Sequence, residues 1–276
     1  MELEILRNIQ SIANPFLDIL FQLITICGEQ MVLVLIISII YWVKDKKFGE
    51  YIAYAVLTSV LVNCVVKDIF KFKRPIGEEG IRTLREKTAT GYSFPSGHTQ
   101  GAGSFYGAMA IYIKKKVMYI IAIIMIILIG FSRLYLGVHY PKDVIVGGIL
   151  GVLISYICYN IYNKYENKIM VYTITFIIFL PALTFAHSED FIKGLGAYFG
   201  FLIGMFIEKR YVNFSVEGKG INKVIRVVIG VLILLFLQKG LKIVLPSEAI
   251  FSFIRYSIIS IFGIGIYPMI FKKLKI

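Results

Sequence analysis

Cysteine, histidine and charged residues are all scarce in this chain. Its 276 residues include three cysteines and three histidines, and only 17% are Asp, Glu, Lys or Arg. The three cysteines, Cys27, Cys64 and Cys158, are far apart in apolar segments without CxxC spacing, which excludes a disulfide scaffold and a cysteine-rich metal site. We interpret them as small core residues. A chain with so little charge is also not intrinsically disordered.

Apolar residues dominate instead. They make up 58% of the chain, with a mean hydropathy of +0.77, whereas soluble domains have about 45–50%. The composition therefore predicts a membrane protein. Backbone polar groups need internal partners in lipid, and the apolar runs lack the alternation of barrel strands, so the spans should be helices. Runs of about 20 apolar residues predict about ten spans, near 11–28, 29–43, 48–66, 95–113, 117–134, 141–162, 169–187, 191–207, 224–243 and 249–271.

Basic residues outnumber acidic ones by 30 to 17, which gives a formal charge of +13. They lie between apolar runs rather than in one stripe, so they indicate membrane topology and no nucleic-acid partner. Lysine clusters at 44–47, 114–116, 164–168 and 272–275 fall on one side, which the positive-inside rule makes cytoplasmic. The basic loop 71–94 falls on the other side. It could cover a site, contact a headgroup, or be a plain solvated loop.

The first of three motifs places a lysine seven residues before an Arg-Pro pair. If the helix of the third span continues through Phe72, Lys67 and Arg74 point the same way, and Pro75 then ends the helix. Two cations on one face can neutralise a phosphoryl group. The alternative is a pair of interfacial cations whose charged ends reach water.

The second motif is Pro-Ser-Gly-His at 95–98, where the fourth span should begin. Proline suits a first helical turn, and the free N–H groups of Ser96, Gly97 and His98 then face outward with the positive end of the helix dipole. This arrangement predicts an anion site. His98 can also donate or accept a proton. A polar helix cap with an unrelated histidine is the alternative for this tetrapeptide alone.

The third motif, Ser132-Arg133-x5-His139-x3-Asp143, falls between the fifth and sixth spans. Pro141 should start the sixth helix. The spacing of four residues lets the Asp143 carboxylate reach Nδ1 of His139, which leaves Nε2 free to attack. Arg133, at the end of the preceding span, can return a guanidinium to the same place. Asp143 alone could equally be a helix-cap carboxylate.

Together, the three complete motifs resemble those of the type 2 phosphatidic acid phosphatase superfamily, over about residues 48–163. The resemblance implies an all-α, polytopic membrane helix bundle with a six-helix core and a site on the outer face. We expect residues 1–168 to form this phosphatase core and residues 169–276 to add transmembrane helices of unknown role. The branch of haloperoxidases is disfavoured, because those enzymes are typically soluble.

The resemblance also implies a role for each motif residue. His139 would be the nucleophile, Asp143 would orient it, and His98 would protonate the leaving alkoxide. The phosphoryl oxygens would be bound by Lys67, Arg74, Ser96, Gly97 and Arg133. The reaction would need no metal and no cofactor. The third histidine, His187, is interpreted as an interfacial hydrogen-bonding residue.

The leading functional hypothesis is hydrolysis of a lipid phosphate or diphosphate in the bilayer, through a phosphohistidine, in a bacterial plasma membrane. Phosphatidic acid, phosphatidylglycerophosphate and undecaprenyl diphosphate all fit as substrates. Two alternatives stay open. One is a phosphotransferase, in which a lipid or sugar hydroxyl intercepts the phosphohistidine, and the other is a lipid transporter or scaffold with the same fold.

Overall fold

The computed structural model describes residues 1–274 and 276; Lys275 and the side chain of Lys87 lie outside the described part. The chain is 79% helical, and the described residues include no strand. The all-α membrane fold is thereby confirmed. The α-helices are α1 (Glu2–Gln10), α2 (Pro15–Ile26), α3 (Gln30–Ile39), α4 (Lys46–Phe70), α5 (Gly97–Ile113), α6 (Lys116–Tyr135), α7 (Pro141–Lys164), α8 (Lys168–Phe179), α9 (Glu189–Ile207), α10 (Gly220–Val244), α11 (Ala249–Ile261) and α12 (Tyr267–Leu274).

The prediction of about ten spans is not confirmed. Within residues 1–274 and 276, six helices are long and apolar enough to cross a membrane, or seven if the bent pair α1–α2 is one span. Every predicted run is helical, but several helices are short. For example, α2 has 12 residues and α5 has 17, against about 20 for a full span. Apolar composition indicates which segments avoid water, but turns and caps decide how long each helix is.

The chain forms two compact units. The first comprises Met1–Leu33 and Val62–Asn160, and the second comprises Val34–Leu61 and Ile161–Ile276. The unit boundaries fall inside α3, α4 and α7, so each of these three helices belongs partly to both units. All three motifs lie in the first unit. The functional division of the chain at residue 168 stays a prediction.

Glycines let α5 and α7 approach closely in the first unit. A Cβ atom at Gly151 would lie 2.3 Å from the carbonyl oxygen of Gln100, and one at Gly103 would lie 2.7 Å from that of Gly148. Only glycine fits such backbone contacts, and small residues at helix crossings are typical of membrane bundles. The close crossing brings the first turns of α5 and α7 together, and these turns carry His98 and Asp143.

The long loop 71–94 is held by α1, a helix that the sequence analysis did not predict. The axes of α1 and α2 differ by 119°. Gln10 of α1 donates to the carbonyl oxygens of Arg82 (2.7 Å) and Tyr135 (2.9 Å), and its own oxygen accepts from the Arg82 N–H at 2.9 Å. The Arg82 guanidinium also forms two hydrogen bonds with Asp18, at 2.8 and 2.6 Å. The loop is therefore packed and ion-paired, not simply solvated.

In the second unit, α9 and α11 cross through a row of small residues. A Cβ atom at Gly200 would lie 2.3 Å from the carbonyl oxygen of Ser257. Trp42 is fully buried in the same unit, where its indole N–H donates to the Gly263 carbonyl oxygen at 2.8 Å. Its ring meets the ring of Tyr267 edge-on at 4.9 Å. These contacts tie the segment that follows α3 to the segment between α11 and α12.

Candidate active site

His139 and Asp143 form a buried pair at the start of α7. Both side chains are almost completely inaccessible, with 1% and 0% exposed. The helix begins at Pro141, as predicted. One carboxylate oxygen of Asp143, Oδ2, accepts from the Tyr140 N–H at 2.9 Å and lies 3.3 Å from His139 Nδ1. The turn before the helix thus fixes the carboxylate, and the carboxylate fixes the imidazole.

Arg74 defines the tautomer of His139. Its Nη1 lies 2.8 Å from His139 Nε2. A guanidinium can only donate hydrogen bonds, so Nε2 must be the unprotonated nitrogen, and the ring proton is on Nδ1, facing Asp143. This leaves the lone pair of Nε2 on the side of the cations. Such an imidazole can act as a nucleophile towards a phosphoryl group.

Lys67 and Arg74 meet, but not on one helix face. The expectation that the helix continues through Phe72 is wrong, because α4 ends at Phe70 and Lys71 adopts a left-handed φ of 52°. The chain then turns back through the loop. Both cations donate to the carbonyl oxygen of Tyr92, Arg74 at 3.3 Å. The loop backbone, not helical spacing, therefore brings the two charges together.

Three further backbone carbonyls accept hydrogen bonds from the Arg74 guanidinium. Its Nη2 donates to Thr90 at 2.6 Å, its Nε to Gly91 at 3.0 Å, and its Nη1 to Val138 at 2.9 Å. A planar guanidinium with this many fixed acceptors has little freedom to rotate. Its orientation towards His139 is consequently set by residues 90–92.

Arg133 and His98 have buried side-chain nitrogens that lack a hydrogen-bond partner among the described residues. Arg133 is 0% exposed and uses Nη1 to donate to the Thr25 hydroxyl at 2.9 Å. Its Nε and Nη2, and Nε2 of His98, are buried without a hydrogen-bond partner among the described residues. An unpaired buried polar group costs about 1–3 kcal/mol. A phosphoryl oxygen would provide the missing partner.

The Pro-Ser-Gly-His segment differs in detail from the prediction. The helix α5 begins at Gly97, and Ser96 is its N-cap, whose hydroxyl accepts from the Thr99 N–H at 3.5 Å. The Ser96 N–H donates to the Asp143 carbonyl oxygen at 2.9 Å, so it does not face outward as expected. This bond instead joins the second motif to the third. A phosphate-binding role for Ser96 and Gly97 stays a prediction.

Ser93 is a site residue that the sequence analysis missed. Its buried hydroxyl donates to Asp143 Oδ2 at 2.5 Å and lies 3.4 Å from His139 Nδ1. Its N–H donates to the Phe72 carbonyl oxygen at 2.8 Å, which closes the base of the loop. Its position two residues before the Pro-Ser-Gly-His segment was the only available signal.

Charge and burial act together on His139. Its pKa lies well below 6.5, first because the ring is buried and then because the positive charges of Arg74, Lys67 and Arg133 disfavour imidazolium; His98 acts in the same direction. The ring is therefore surrounded by all three cations of the motifs and by the second histidine of the site. At neutral pH His139 is accordingly an uncharged imidazole surrounded by cations.

The remaining candidates fall elsewhere. His187 is exposed and belongs to the second unit, whereas the residues of the three motifs belong to the first. Cys64 and Cys158 are buried and Cys27 is partly buried, as expected for packing residues. In the part of the chain that the structure describes, no group of three or more His, Cys, Asp or Glu side chains is placed to hold a metal ion.

Family models match both portions of the chain. The model of the PAP2 superfamily matches residues 49–167, and that of the PAP2 superfamily phosphatase, transmembrane extension, matches residues 192–276. The chain belongs to the PAP2 superfamily. The first match contains all three motifs. The second covers most of the helices that the sequence analysis could not assign.

Several curated PAP2-like proteins are similar to this chain. The undecaprenyl-diphosphatase of Sulfolobus acidocaldarius is 33% identical over 119 residues, which cover 43% of this chain and 57% of that protein. The phosphatidylglycerophosphatase B of Bacillus subtilis is 31% identical over 159 residues, covering 53% of this chain and 75% of that protein. The matched part of this chain thus spans little more than half the length of the archaeal protein.

Two solved PAP2 structures resemble this chain. The Bacillus subtilis transmembrane PAP2 type phosphatidylglycerolphosphate phosphatase has a TM-score of 0.51 and 28% identity, and the match covers 59% of this chain and 85% of that one. Aquifex aeolicus LpxE has a TM-score of 0.52 and 27% identity, with coverage of 58% and 94%. This PAP2 chain therefore contains nearly the whole length of each of these structures and further helices in addition.

Proposed function

We propose that the protein hydrolyses a phosphate or diphosphate group of a membrane lipid through a phosphohistidine intermediate. The observation that carries this proposal is the contact between Arg74 and His139 Nε2, which identifies an unprotonated imidazole nitrogen among three cations. Phosphoryl transfer requires an in-line nucleophile and neutralisation of the equatorial oxygens. Family membership supports the same reaction class.

In the first step, the lone pair of His139 Nε2 attacks phosphorus and the bond from phosphorus to the lipid oxygen breaks. His98 gives its proton to the departing alkoxide. Asp143 holds the Nδ1 proton and stabilises the positive charge that develops on the ring. The nitrogens of Arg133 that lack partners, together with Lys67, bind the phosphoryl oxygens. Arg74 exchanges its hydrogen bond with His139 Nε2 for one to a phosphoryl oxygen, which frees the Nε2 lone pair.

In the second step, water attacks the phosphohistidine and His98 accepts a proton from it. The P–N bond breaks, inorganic phosphate leaves, and His139 returns to the neutral state. The proton that His98 gave up is thereby replaced. The cycle balances without a metal or a redox partner.

We further propose that the site faces the outside of a bacterial plasma membrane. Lys67, His98, Arg133 and Asp143 all lie within a turn of the helix ends at one end of the first unit. The lysines at 114–116 connect the opposite ends of α5 and α6, and positive connections stay in the cytoplasm. Maleimide labelling in whole cells tests this orientation, with one cysteine at a time introduced at Glu79 or Lys115 in a variant whose three native cysteines are replaced. Labelling of position 115 but not of position 79 would reverse it.

The decisive experiment is phosphate release by the purified protein from single lipid phosphates in detergent. We expect turnover in the wild type, none with His139→Ala, inhibition by vanadate, and no loss on adding EDTA. Folding of the variant is checked by thermal unfolding. Turnover that needs a second hydroxyl substrate would instead indicate a phosphotransferase, and sensitivity to EDTA would indicate a metal-dependent reaction.

A further inference from the structure

An open, shallow cavity of about 450 Å³ lies on the surface of the first unit. It is lined by residues 1–3 at the start of α1, by Phe72 and Lys73 at the start of the long loop, and by Tyr140 and Lys142. Tyr140 directly follows His139 in the chain. Lys73 directly precedes Arg74, whose guanidinium contacts the His139 ring. Two residues that line the cavity are thus direct chain neighbours of His139 and Arg74.

The charge of this cavity suits an anion. Lys142 Nζ lies 5.1 Å from the centre of the Phe72 ring and 5.3 Å from that of Tyr140, so the two rings hold the ammonium group in place. Lys73 adds a second positive charge. The Glu2 carboxylate pairs with Lys142 Nζ at 2.9 Å and also accepts from the Lys142 N–H at 3.3 Å. An anion that entered the cavity would compete with Glu2 for Lys142.

An apolar surface continues from the same cavity. The rings of Phe70, Phe72 and Phe94 form a cluster with centroid separations of 5.2 to 5.7 Å. Phe70 and Phe72 remain 49% and 41% exposed. Exposed aromatic rings at the end of a membrane span are compatible with lipid chains at the headgroup level. A molecule with an anionic end and an apolar end can follow this path.

We propose that the cavity binds a second phosphate group of the substrate lipid, distinct from the phosphoryl group that His139 attacks. The inference rests on the proposed function. It ranks lipids with two phosphates in the headgroup, such as prenyl diphosphates and phosphatidylglycerophosphate, above those with one, such as phosphatidic acid. Lys142 and Lys73 donate charge-assisted hydrogen bonds to the second phosphate, and Glu2 sets how readily Lys142 is released.

Paired substrates test the proposal. Farnesyl diphosphate is compared with farnesyl monophosphate, and phosphatidylglycerophosphate with phosphatidic acid, as ratios of kcat/KM. Lys142→Ala should lower the ratio about tenfold relative to the wild type, mainly through KM, which corresponds to one charge-assisted hydrogen bond. Glu2→Gln should raise it. Each variant is compared with the wild type on the same substrates, so differences between leaving groups cancel.

The control is Lys193→Ala, which removes a lysine of another exposed pair, with Glu189 at 2.9 Å, in the second unit. That variant should leave both ratios unchanged. If Lys142→Ala lowers the ratio of kcat/KM values in only one substrate pair, the result supports the subsite and identifies which lipid class uses it. Equal losses on all four substrates, or no change in either ratio, would overturn the proposal.

A binding measurement separates this inference from the proposed function. Calorimetry in detergent compares a farnesyl methylenediphosphonate with a farnesyl monophosphonate, neither of which can be hydrolysed at the scissile position. Preference for the diphosphonate that is lost in Lys142→Ala supports the subsite even if phosphate release fails. Equal affinities in the wild type contradict the subsite while leaving hydrolysis intact.

Discussion

Arg74 has two separable effects on its surroundings. Its fork of N–H groups fixes the His139 tautomer, and its charge lowers the pKa of the same ring. Arginine and lysine carry the same charge but differ in hydrogen-bond geometry. Substitutions at this position can therefore separate the two contributions.

The pH dependence of hydrolysis should reflect the lowered pKa of His139. Attack needs the neutral imidazole of His139, so the acidic limb of the kcat/KM profile should have its midpoint below 6.5. Arg74→Gln removes a positive charge, which raises the pKa of His139 and should move this acidic limb to higher pH. Arg74→Lys keeps the positive charge but loses the fork of N–H groups. It should slow the reaction while the midpoint of the acidic limb stays closer to that of the wild type. A limb that does not move in Arg74→Gln would contradict the assignment of His139.

Ser93 should matter to the rate more than to substrate binding. Ser93→Ala removes a donor from a buried carboxylate, which costs about 1.5–3 kcal/mol when the acceptor is charged. We expect kcat to fall about tenfold or more, with KM little changed, because Asp143 then holds His139 less firmly. Ser104→Ala is the matched control, since Ser104 is also fully buried but donates to the Gly101 carbonyl oxygen in α5. Equal kcat losses in both variants would indicate a general packing defect.

The chemistry of the site was more predictable from the sequence than its geometry. Spacing along the chain placed the Asp143 carboxylate beside His139, because both belong to one turn and one helix start. Spacing could not place Lys67 beside Arg74, because α4 ends before Arg74 and the loop brings the two together. Ser93 was missed for the same reason, since its contacts depend on how a loop of irregular backbone folds.

Among the structural elements, α1 determines the position of the long loop. Its Gln10 forms a reciprocal pair of hydrogen bonds with the backbone of Arg82, and Leu84 N–H donates to the Leu136 carbonyl oxygen at 3.0 Å. The same loop supplies the carbonyls at 90–92 that orient Arg74. We infer that α1 stabilises the site indirectly through this loop.

Replacing Gln10 tests this dependence. Gln10→Ala leaves the Arg82 N–H without its acceptor and two backbone carbonyls without a donor. We expect faster hydrogen–deuterium exchange at the amides of residues 82–84, while exchange within α5 stays the same. Gln22→Ala, in α2, is the control, because the hydrogen bond that Gln22 forms within the described residues is to the Asp18 carbonyl of its own helix. Unchanged exchange in Gln10→Ala would mean that other contacts hold the loop without the hydrogen bonds of Gln10.

The sequence did not predict α1 because its residues are mixed in charge and precede the first long apolar run. The helix has acidic residues in its first turn and Arg7 in its last. Its partner surface, the loop 71–94, is remote in the chain. Local patterns describe neither the 119° bend nor the surface that α1 covers.

At the scale of the molecule, the second unit depends on tight helix crossings. Gly200→Ala would force a Cβ atom against the Ser257 carbonyl of α11. We expect a loss of about 1–3 kcal/mol in the free energy of unfolding, as overpacking usually costs. Gly240→Ala in α10 has open space around the new Cβ and should be neutral or stabilising by up to about 1 kcal/mol. Calorimetric unfolding in detergent compares the two, and equal stabilities would contradict close packing at Gly200.

The single tryptophan of the chain is Trp42, and it lies buried in the unit that contains none of the proposed catalytic side chains. Its fluorescence emission consequently reports the second unit alone. Loss of phosphate release, in contrast, reports the first unit. Following both signals through one urea titration would reveal, without any added label, whether the two units denature in one cooperative transition or in sequence.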